Sequence, residues 1–222
     1  GDGGDEAFAG YGRHLANRVV ELWQRGPRPL RLPIEWLGDR VRWLEASGLP
    51  RADRYRRWAG LFSGELKALV VGANGSVAEH GMVEQLFEQA GSLDAVDAML
   101  AVDTAFYLPT DLLVKMDISS MAHALEVRSP FLDRHLVEFV ARLPSSFKLR
   151  GVVSKYLLKQ ALAETVPRGI LHRGKQGFAV PIGQWLRGEL RTMLCDHLLS
   201  SRLAACRLLQ PAGLEWLVKA HL

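Results

Sequence analysis

The sequence predicts a mostly helical fold with little β-sheet of its own. In most segments apolar side chains recur at steps of three and four residues, which is the spacing of one helical face. Long runs of β-branched residues are scarce, and Leu69-Val70-Val71 is too short to decide between helix and strand. Glycine and proline residues punctuate the helical segments at intervals, as is typical of short helices joined by turns.

The elements follow from this spacing in chain order. Apolar and aromatic side chains from Phe8 to Leu22 form one face of a helix over about 6–23, and Gly26-Pro27 ends it. Ser129 is excluded from helix because it precedes Pro130. The same reasoning predicts helical segments at 34–45, 55–71, 82–91, 93–107, 111–126, 133–142, 152–164, 184–199 and 211–221, with loops at 72–76 and 174–181.

Length and composition bound the class of protein. The 222 residues are 48% hydrophobic and 23% charged, which is close to an average soluble domain and excludes disordered, collagen-like and disulfide-framework chains. No 18-residue apolar run predicts a membrane span. Cys195 and Cys206 form no zinc-binding pattern. With no secretion signal, we expect a cytoplasmic protein that does not bind membranes. The chain has no initiator Met and resembles an internal cut.

Charge is unevenly distributed along the chain. The net charge is +4, yet residues 68–114 contain no Lys or Arg, while residues 115–222 carry eight more basic than acidic side chains. A basic half suggests an anionic partner such as phosphate or nucleic acid, although a solvated surface explains it equally well. We expect no nucleic-acid partner because no helix-turn-helix, RNA-binding or zinc-finger pattern occurs.

The first cluster that could carry chemistry opens the chain as Gly1-Asp2-Gly3-Gly4-Asp5-Glu6. Glycines allow a tight turn and a close approach of backbone N–H groups to an anion, and a helix N-terminus favours phosphate. Carboxylate oxygens suit Mg²⁺, which takes one or two protein carboxylates together with phosphate oxygens. The cluster therefore indicates a metal–nucleotide site, although a Gly-rich turn with an acidic helix start has the same composition.

Two further clusters place charges in defined patterns. Lys115, Asp117, Glu126, Arg128 and Asp133 interrupt apolar stretches, where lone charges are costly unless paired, so a structural Glu126–Arg128 or Arg128–Asp133 network is expected. In the third cluster, Lys155 and Lys159 lie one helical turn apart. A lysine there could stabilise a transferring phosphoryl group or leaving pyrophosphate, or it could simply be solvated.

Taken together and in this order, the clusters resemble the C-terminal synthetase domain of glutamine-dependent asparagine synthetase over almost the whole chain, 1–222. The residues that carry the resemblance are Gly1-Asp2-Gly3-Gly4-Asp5-Glu6, Phe8, Gly10, Tyr11, Leu108-Pro109, Asp111, Leu113, Lys115, Asp117, Met121-Ala122, Glu126, Arg128, Pro130-Phe131-Leu132-Asp133, Lys155, Lys175, Gly177-Phe178, Pro181 and Trp185.

The resemblance implies an α/β ATP-pyrophosphatase domain, adenine nucleotide alpha hydrolase-like, of which this chain is a mostly α fragment with most of the parallel sheet upstream of residue 1. It implies that ATP and Mg²⁺ activate aspartate as β-aspartyl-AMP, which ammonia attacks to give asparagine and AMP. Asp2 and Lys155 match catalytic positions, the former linked to the acyl-adenylate and the latter to leaving pyrophosphate. Gly1, Gly3, Gly4 and Lys175 match nucleotide-binding positions, and Asp5 and Glu6 match metal-binding positions.

Departures from the family pattern limit this expectation. The Ser-Gly-Gly-x-Asp-Ser pyrophosphate loop and the glutaminase domain with its N-terminal Cys are absent from the 222 residues and would lie upstream, so the fragment alone is expected to be inactive. Ile118 stands where many relatives have Arg. Homodimer formation, the nitrogen donor and the acceptor carboxylate stay open. Alternatives are a related amidotransferase or cyclase, resembling β-lactam synthetases (which place Tyr at the position of Asp2) or lasso-peptide cyclases, and a degenerate non-catalytic helical module.

Overall fold

The protein is mostly helical in a computed structural model that describes residues 2–25, 46–60, 62–72, 81–173, 180–200 and 208–222. The predicted helix at 34–45 and most of the predicted loops at 72–76 and 174–181 lie outside these ranges. The described elements are α1 (Gly4–Ala7), α2 (Gly12–Arg25), α3 (Arg51–Ala59), α4 (Gly64–Val71), α5 (Met82–Gln89), α6 (Ala95–Val102), a π-helix (Asp103–Leu113), α7 (Val114–Met121), a 3-10 helix (Pro130–Leu132), α8 (Arg134–Arg142), α9 (Ser145–Lys148), β1 (Leu149–Arg150), β2 (Val153–Ser154), α10 (Tyr156–Ala161), α11 (Arg168–Leu171), α12 (Ile182–Arg187), α13 (Arg191–Leu198) and α14 (Pro211–His221).

Several helices begin at residues that satisfy their free backbone N–H groups. Asp94 accepts hydrogen bonds from the N–H groups of Val96 (2.8 Å) and Asp97 (3.0 Å) at the start of α6. Asp133 accepts one from Leu136 N–H, 3.0 Å, at the start of α8. Such side-chain caps are the usual local signal for a helix start, and they explain why these two helices begin where they do.

The chain divides into two units. The larger unit comprises Gly1–Ala59 and Gly81–Arg173. Helix α2 packs along α6, and the core lies between α3, α5 and α6. A second cluster joins Ala9, in the loop after α1, to α6 and to Leu149 of β1. The main core cluster consists of Ala52, Tyr55, Val83, Phe87, Ala90, Ala98, Met99 and Val102.

The smaller unit comprises Gly60–His80 and Gly174–Leu222. Within it α4 packs closely against α14, where Gln210 N–H donates to Val70 O at 2.7 Å. A Cβ on Gly213 would lie 2.0 Å from Leu69 O, so a glycine is needed at this close helix–helix approach. Helices α12 and α13 pack against each other, and α13 contacts α14.

The mostly helical expectation is confirmed, and the described ranges contain a single sheet of two short strands. Strands β1 and β2 are antiparallel and pair Leu149 with Ser154 and Arg150 with Val153. The parallel sheet implied upstream by the resemblance stays a prediction. In the described part of the chain, no helix has the length and apolarity needed to span a membrane.

The predicted helix at 6–23 is wrong as one continuous element. Helix α1 ends at Ala7 and α2 begins at Gly12. Between them Ala9 has a φ of 57°, the left-handed conformation that commonly closes a helix C-terminus. Ala9 is completely buried against Val96 and Leu100. Tertiary packing therefore imposes a break that the apolar spacing alone does not reveal.

Other boundaries differ from prediction for local reasons. Helix continues through Pro109 by widening into the π-helix, a geometry that accommodates a residue lacking an N–H donor. Helix α7 ends at Met121 rather than 126. The helix predicted at 152–164 is shorter in the structure. Its first residues form strand β2, Val153–Ser154, and only Tyr156–Ala161 is helical, as α10. The predicted segment at 55–71 is interrupted at Gly60, and the one at 184–199 is interrupted at Gly188.

Three predicted helices agree with the structure. The bounds of α5, α8 and α14 are confirmed within two residues.

Candidate active site

The Gly-rich segment forms a tight turn that leads directly into α1. Gly3 is the N-cap and has a φ of 85°, which strongly favours glycine. A Cβ on Gly3 would lie 2.2 Å from Leu132 Cδ2, and one on Gly4 would lie 3.3 Å from Phe131 Cδ2. Both glycines therefore let the turn pack tightly on the 3-10 helix. Their predicted contact with a nucleotide stays a prediction.

Backbone hydrogen bonds at the C-terminal end of α1 fix the conformation of the loop that follows it. Ala7 N–H donates to Gly3 O at 2.9 Å, and Gly10 N–H donates to Asp5 O at 2.8 Å. With Ala9 left-handed, this six-residue closure is a Schellman-type helix end. It brings the backbone of Gly10 directly over Asp5, so the position of the loop and that of the acidic side chain are coupled.

Lys155 lies far from α1 in the sequence, but its side chain contacts Asp5 of α1. It follows β2 and is the N-cap of α10, with a left-handed φ of 53°. Its N–H donates to Phe8 O at 3.0 Å. Its Nζ lies 2.8 Å from Asp5 Oδ1, with the two side chains 31% and 19% exposed. Two predicted site residues separated by 150 positions are thus an ion pair at the edge of α1.

The other predicted metal-binding residue, Glu6, has a different environment. Glu6 is only 2% exposed, and its Oε1 accepts a hydrogen bond from the Tyr11 hydroxyl. Burial, followed by this hydrogen bond and the negative charges of Glu6 and Asp5, raises the pKa of Tyr11 far above its ordinary value. Tyr11 therefore stays protonated and donates to Glu6. The metal-binding role of Glu6 stays a prediction.

The remaining predicted site residues are less constrained. Asp2 lies half-buried in the turn that precedes α1. Gly1 and Lys175 lie outside the described residues. Among the residues that the structure describes, no group of three or more His, Cys, Asp or Glu side chains is arranged to hold a metal ion.

The second cluster of charges has a structural arrangement. Arg128 pairs with Glu126, although both side chains are largely exposed. Asp133 caps α8 through Leu136 N–H. The expected Glu126–Arg128 pair is therefore present, and Asp133 has a capping role that the pattern of charges did not predict. Ile118, at the departure from the family pattern, is 64% exposed.

A buried network behind the loop was missed by sequence reasoning. Asp103 Oδ1 lies 2.9 Å from Arg13 Nη2 and accepts from Tyr55 OH at 2.7 Å, and Asp103 Oδ2 lies 2.7 Å from His14 Nε2. Burial alone would raise the pKa of Asp103, but the hydrogen bonds and charges of His14 and Arg13 outweigh it and hold that pKa below its ordinary value. A signal was present, because Asp103 is a charge in an apolar helical stretch and such a charge needs partners.

The Arg13 side chain extends this network toward the predicted site. Its guanidinium carbon lies 3.9 Å from the ring centre of Tyr11 and 4.7 Å from that of Tyr107, a geometry in which cation–π attraction contributes. Tyr11 and Tyr107 also meet edge to face with ring centres 5.9 Å apart. The network thus connects the start of α2, the π-helix and Tyr11, which contacts Glu6.

The tight acidic turn and the Asp5–Lys155 pair bring three of the predicted site residues, Gly3, Asp5 and Lys155, to one end of α1. Comparison with known families is more specific: the asparagine synthase family matches residues 1–222. The chain belongs to this family, and the resemblance expected from its motifs is confirmed.

Individual relatives agree with this assignment. The chain is 34% identical, over 86% of its length, to a protein of Mycobacterium tuberculosis provisionally named a glutamine-hydrolysing asparagine synthetase. It is 30% identical, again over 86%, to glutamine-hydrolysing asparagine synthetase 1 of Bacillus subtilis, and 26% identical to amidase chyE of Penicillium rubens. These matches cover 30%, 31% and 33% of the relatives, so the chain spans about a third of their length. No solved structure gives a significant match.

Proposed function

We propose that this chain carries part of the catalytic site of an ATP-dependent, amide-forming ligase of the asparagine synthetase type. In the proposed reaction, a carboxylate oxygen of aspartate attacks the α-phosphorus of ATP and the bond to the β-phosphate breaks, which releases pyrophosphate. Ammonia then attacks the acyl carbon of β-aspartyl-AMP, and the bond to AMP breaks to leave asparagine. The observation that carries the proposal is the Asp5–Lys155 pair at 2.8 Å, in a chain of the asparagine synthase family.

Lys155 is proposed to stabilise the negative charge that develops on the departing pyrophosphate. Its ammonium is partly exposed and lies 2.8 Å from the Asp5 carboxylate, which holds it at the edge of α1. Its backbone is held by the N–H contact to Phe8 O, and a preorganised cation of this kind lowers the barrier without reorganising during the reaction.

Asp5 is proposed to hold Mg²⁺ together with ATP. The Asp5 carboxylate is half-buried and offers oxygen atoms, which are the ligands that Mg²⁺ prefers. Mg²⁺ takes few protein ligands and completes its coordination shell with phosphate oxygens and water. When bound, Mg²⁺ would neutralise phosphate charge. Glu6 is retained as a second metal candidate.

Asp2 is proposed to accept a proton from the nitrogen nucleophile as it attacks the acyl-adenylate. It lies two residues before Gly4, the first residue of α1, and is half-buried, so part of its side chain is accessible to a substrate. General-base assistance of this kind requires the carboxylate within hydrogen-bond reach of the nucleophile. Gly1, Gly3, Gly4 and Lys175 are proposed to contact the nucleotide.

Further parts of the enzyme are likewise proposed from the family. A pyrophosphate loop and a glutaminase domain that supplies ammonia would come from sequence outside these 222 residues, and the protein would act in the cytoplasm. A second candidate is an amidotransferase that activates another carboxylate by the same adenylation. The similarity to the Penicillium amidase favours keeping this candidate.

The proposal is tested by product analysis with the protein at its full natural length. With ATP, Mg²⁺, aspartate and either ammonia or glutamine, we expect asparagine, AMP and pyrophosphate in equal amounts. A panel of other carboxylic acids, compared at the same concentration, identifies the acceptor. Formation of AMP and pyrophosphate with another acid but not with aspartate would favour the second candidate, and the absence of AMP with every acid would contradict both.

A further inference from the structure

We propose that Gly10 is a positioning residue that sets the separation of Asp5 and Lys155, because the space its missing side chain leaves is the space the pair occupies. This inference rests on the proposed function of the pair. A Cβ built on Gly10 would lie 1.8 Å from Asp5 Oδ1 and 2.4 Å from Lys155 Cε. Non-bonded carbon contacts are favourable only at about 3.5–4.0 Å, so both side chains would have to move.

The backbone of Gly10 does not itself require glycine. Its φ lies outside the left-handed range, unlike those of Gly3, Gly72 and Gly151. Alanine at position 10 is therefore compatible with the local chain conformation. The three atoms nearest to the built Cβ all belong to the Asp5 and Lys155 side chains, which distinguishes Gly10 from glycines that are required by the conformation of a turn.

The main chain around the pair leaves little room for relief. Gly10 N–H is held by Asp5 O at 2.8 Å, and Lys155 N–H is held by Phe8 O at 3.0 Å. Both hydrogen bonds belong to the same loop, and Ala9 within that loop is fully buried. A methyl group at position 10 would therefore displace the carboxylate and the ammonium rather than the backbone.

Displacing the pair has a defined kinetic consequence. Lys155 is proposed to act on charge that develops as pyrophosphate leaves, so its misplacement should lower kcat and leave the KM for aspartate nearly unchanged. A shift of about 1 Å in a catalytic group can lower the rate by about 100-fold. We expect a loss of roughly this size in the Gly10→Ala variant.

The experiment compares the Gly10→Ala change in two backgrounds of the full-length protein, namely the natural sequence and the Asp5→Ala/Lys155→Ala variant. Thermal unfolding is followed in both backgrounds, and steady-state kinetics are measured in the natural background. The matched control is Gly169→Ala, where a Cβ meets no atom within 4 Å. We expect Gly10→Ala to lower Tm and kcat in the natural background and not to lower Tm where both contact side chains are absent, while Gly169→Ala lowers neither.

Two results would overturn the positioning role. One is an equal fall in Tm in both backgrounds, because that would assign Gly10 to the backbone. The other is natural kcat in Gly10→Ala while Asp5→Ala and Lys155→Ala abolish pyrophosphate formation, which would leave the proposed function intact. If the Asp5 and Lys155 variants form pyrophosphate at the natural rate, the proposed function itself fails, and the inference about Gly10 with it.

Discussion

At the scale of single residues, the pairing of Asp5 with Lys155 is the central observation. The motifs and the resemblance predicted both residues as site residues, but they did not predict that the two are in contact. That contact depends on the left-handed backbone of Lys155 and on its hydrogen bond to Phe8 O. Neither has a local sequence signal, since a lysine in this conformation is stabilised only by tertiary structure.

Replacing Lys155 tests its proposed role directly. In Lys155→Met, we expect kcat to fall about 100- to 1,000-fold, the range for loss of one preorganised electrostatic contact. The measurement is steady-state formation of pyrophosphate by the full-length protein. Lys159→Met is the control, because Lys159 lies one turn further along α10 and is expected to leave kcat within a factor of two to three. Equal losses in the two variants would contradict a specific role for Lys155.

Tyr11 offers a residue-scale test of the buried Glu6 environment. Tyr11→Phe removes the hydroxyl that donates to Glu6 and leaves a buried carboxylate oxygen without that donor. We expect the free energy of unfolding to fall by about 1–3 kcal/mol, measured by urea denaturation. Tyr156→Phe is the control, since the hydroxyl of Tyr156 takes part in an exposed hydrogen bond. A loss no larger than that of the control would contradict a structural role for the Tyr11–Glu6 contact.

At the scale of secondary-structure elements, sequence reasoning succeeded where a helix has both an apolar face and a clear end. Helix α14 is an example, since Pro211 marks its start. It failed where tertiary contacts override the spacing, as at Ala9, and where the helix widens instead of ending, as at Pro109. Apolar periodicity carries no information on either event, because both depend on neighbouring elements.

The buried Asp103 network gives an element-scale prediction. Asp103, at the start of the π-helix, contacts Arg13 and His14 of α2 and Tyr55 of α3. Asp103→Asn leaves the Arg13 guanidinium buried without its counter-charge, so we expect the free energy of unfolding to fall by about 3–5 kcal/mol. Urea denaturation at neutral pH measures this loss. The exposed Asp117→Asn serves as the control, and a similar small effect in both variants would contradict the prediction.

The same network predicts a pH dependence. The pKa of Asp103 is held below its ordinary value, so its contribution to stability is fully present above the unfolded-state pKa of about 3.9 and is lost as the pH falls through the folded-state pKa. The difference in unfolding free energy between the natural protein and Asp103→Asn should therefore shrink on acidification below about pH 4. Urea denaturation across this range checks the sign, and a difference that grows with acid would contradict it.

At the scale of the whole molecule, the uneven charge has a candidate cause in phosphate binding. The basic excess of residues 115–222 includes Lys155, which is proposed to contact pyrophosphate. We accordingly expect no tight binding of double-stranded DNA at physiological salt, because no DNA-binding motif accompanies the charge and basic charge alone binds DNA weakly there. A gel-shift series over increasing salt measures this. Binding that weakens steeply as salt rises would favour a nucleic-acid partner instead.

The architecture was predictable only in part at this scale. The mostly helical character follows from composition and spacing and is confirmed, whereas the parallel sheet stays a prediction. The matched relatives are about three times as long as the stretch they share with this chain. The division into two units also has no signal in the sequence, since the smaller unit joins α4 to helices more than 100 residues later.

The site that holds Asp5 and Lys155 is proposed to adenylate a carboxylate. Aspartate-dependent exchange of labelled pyrophosphate into ATP, catalysed by the full-length protein without ammonia or glutamine, measures that step alone. We predict exchange in the natural protein and a loss of about 100-fold or more in Lys155→Met. Cleavage of ATP to ADP and phosphate, or exchange at the natural rate in Lys155→Met, would contradict adenylation at this site.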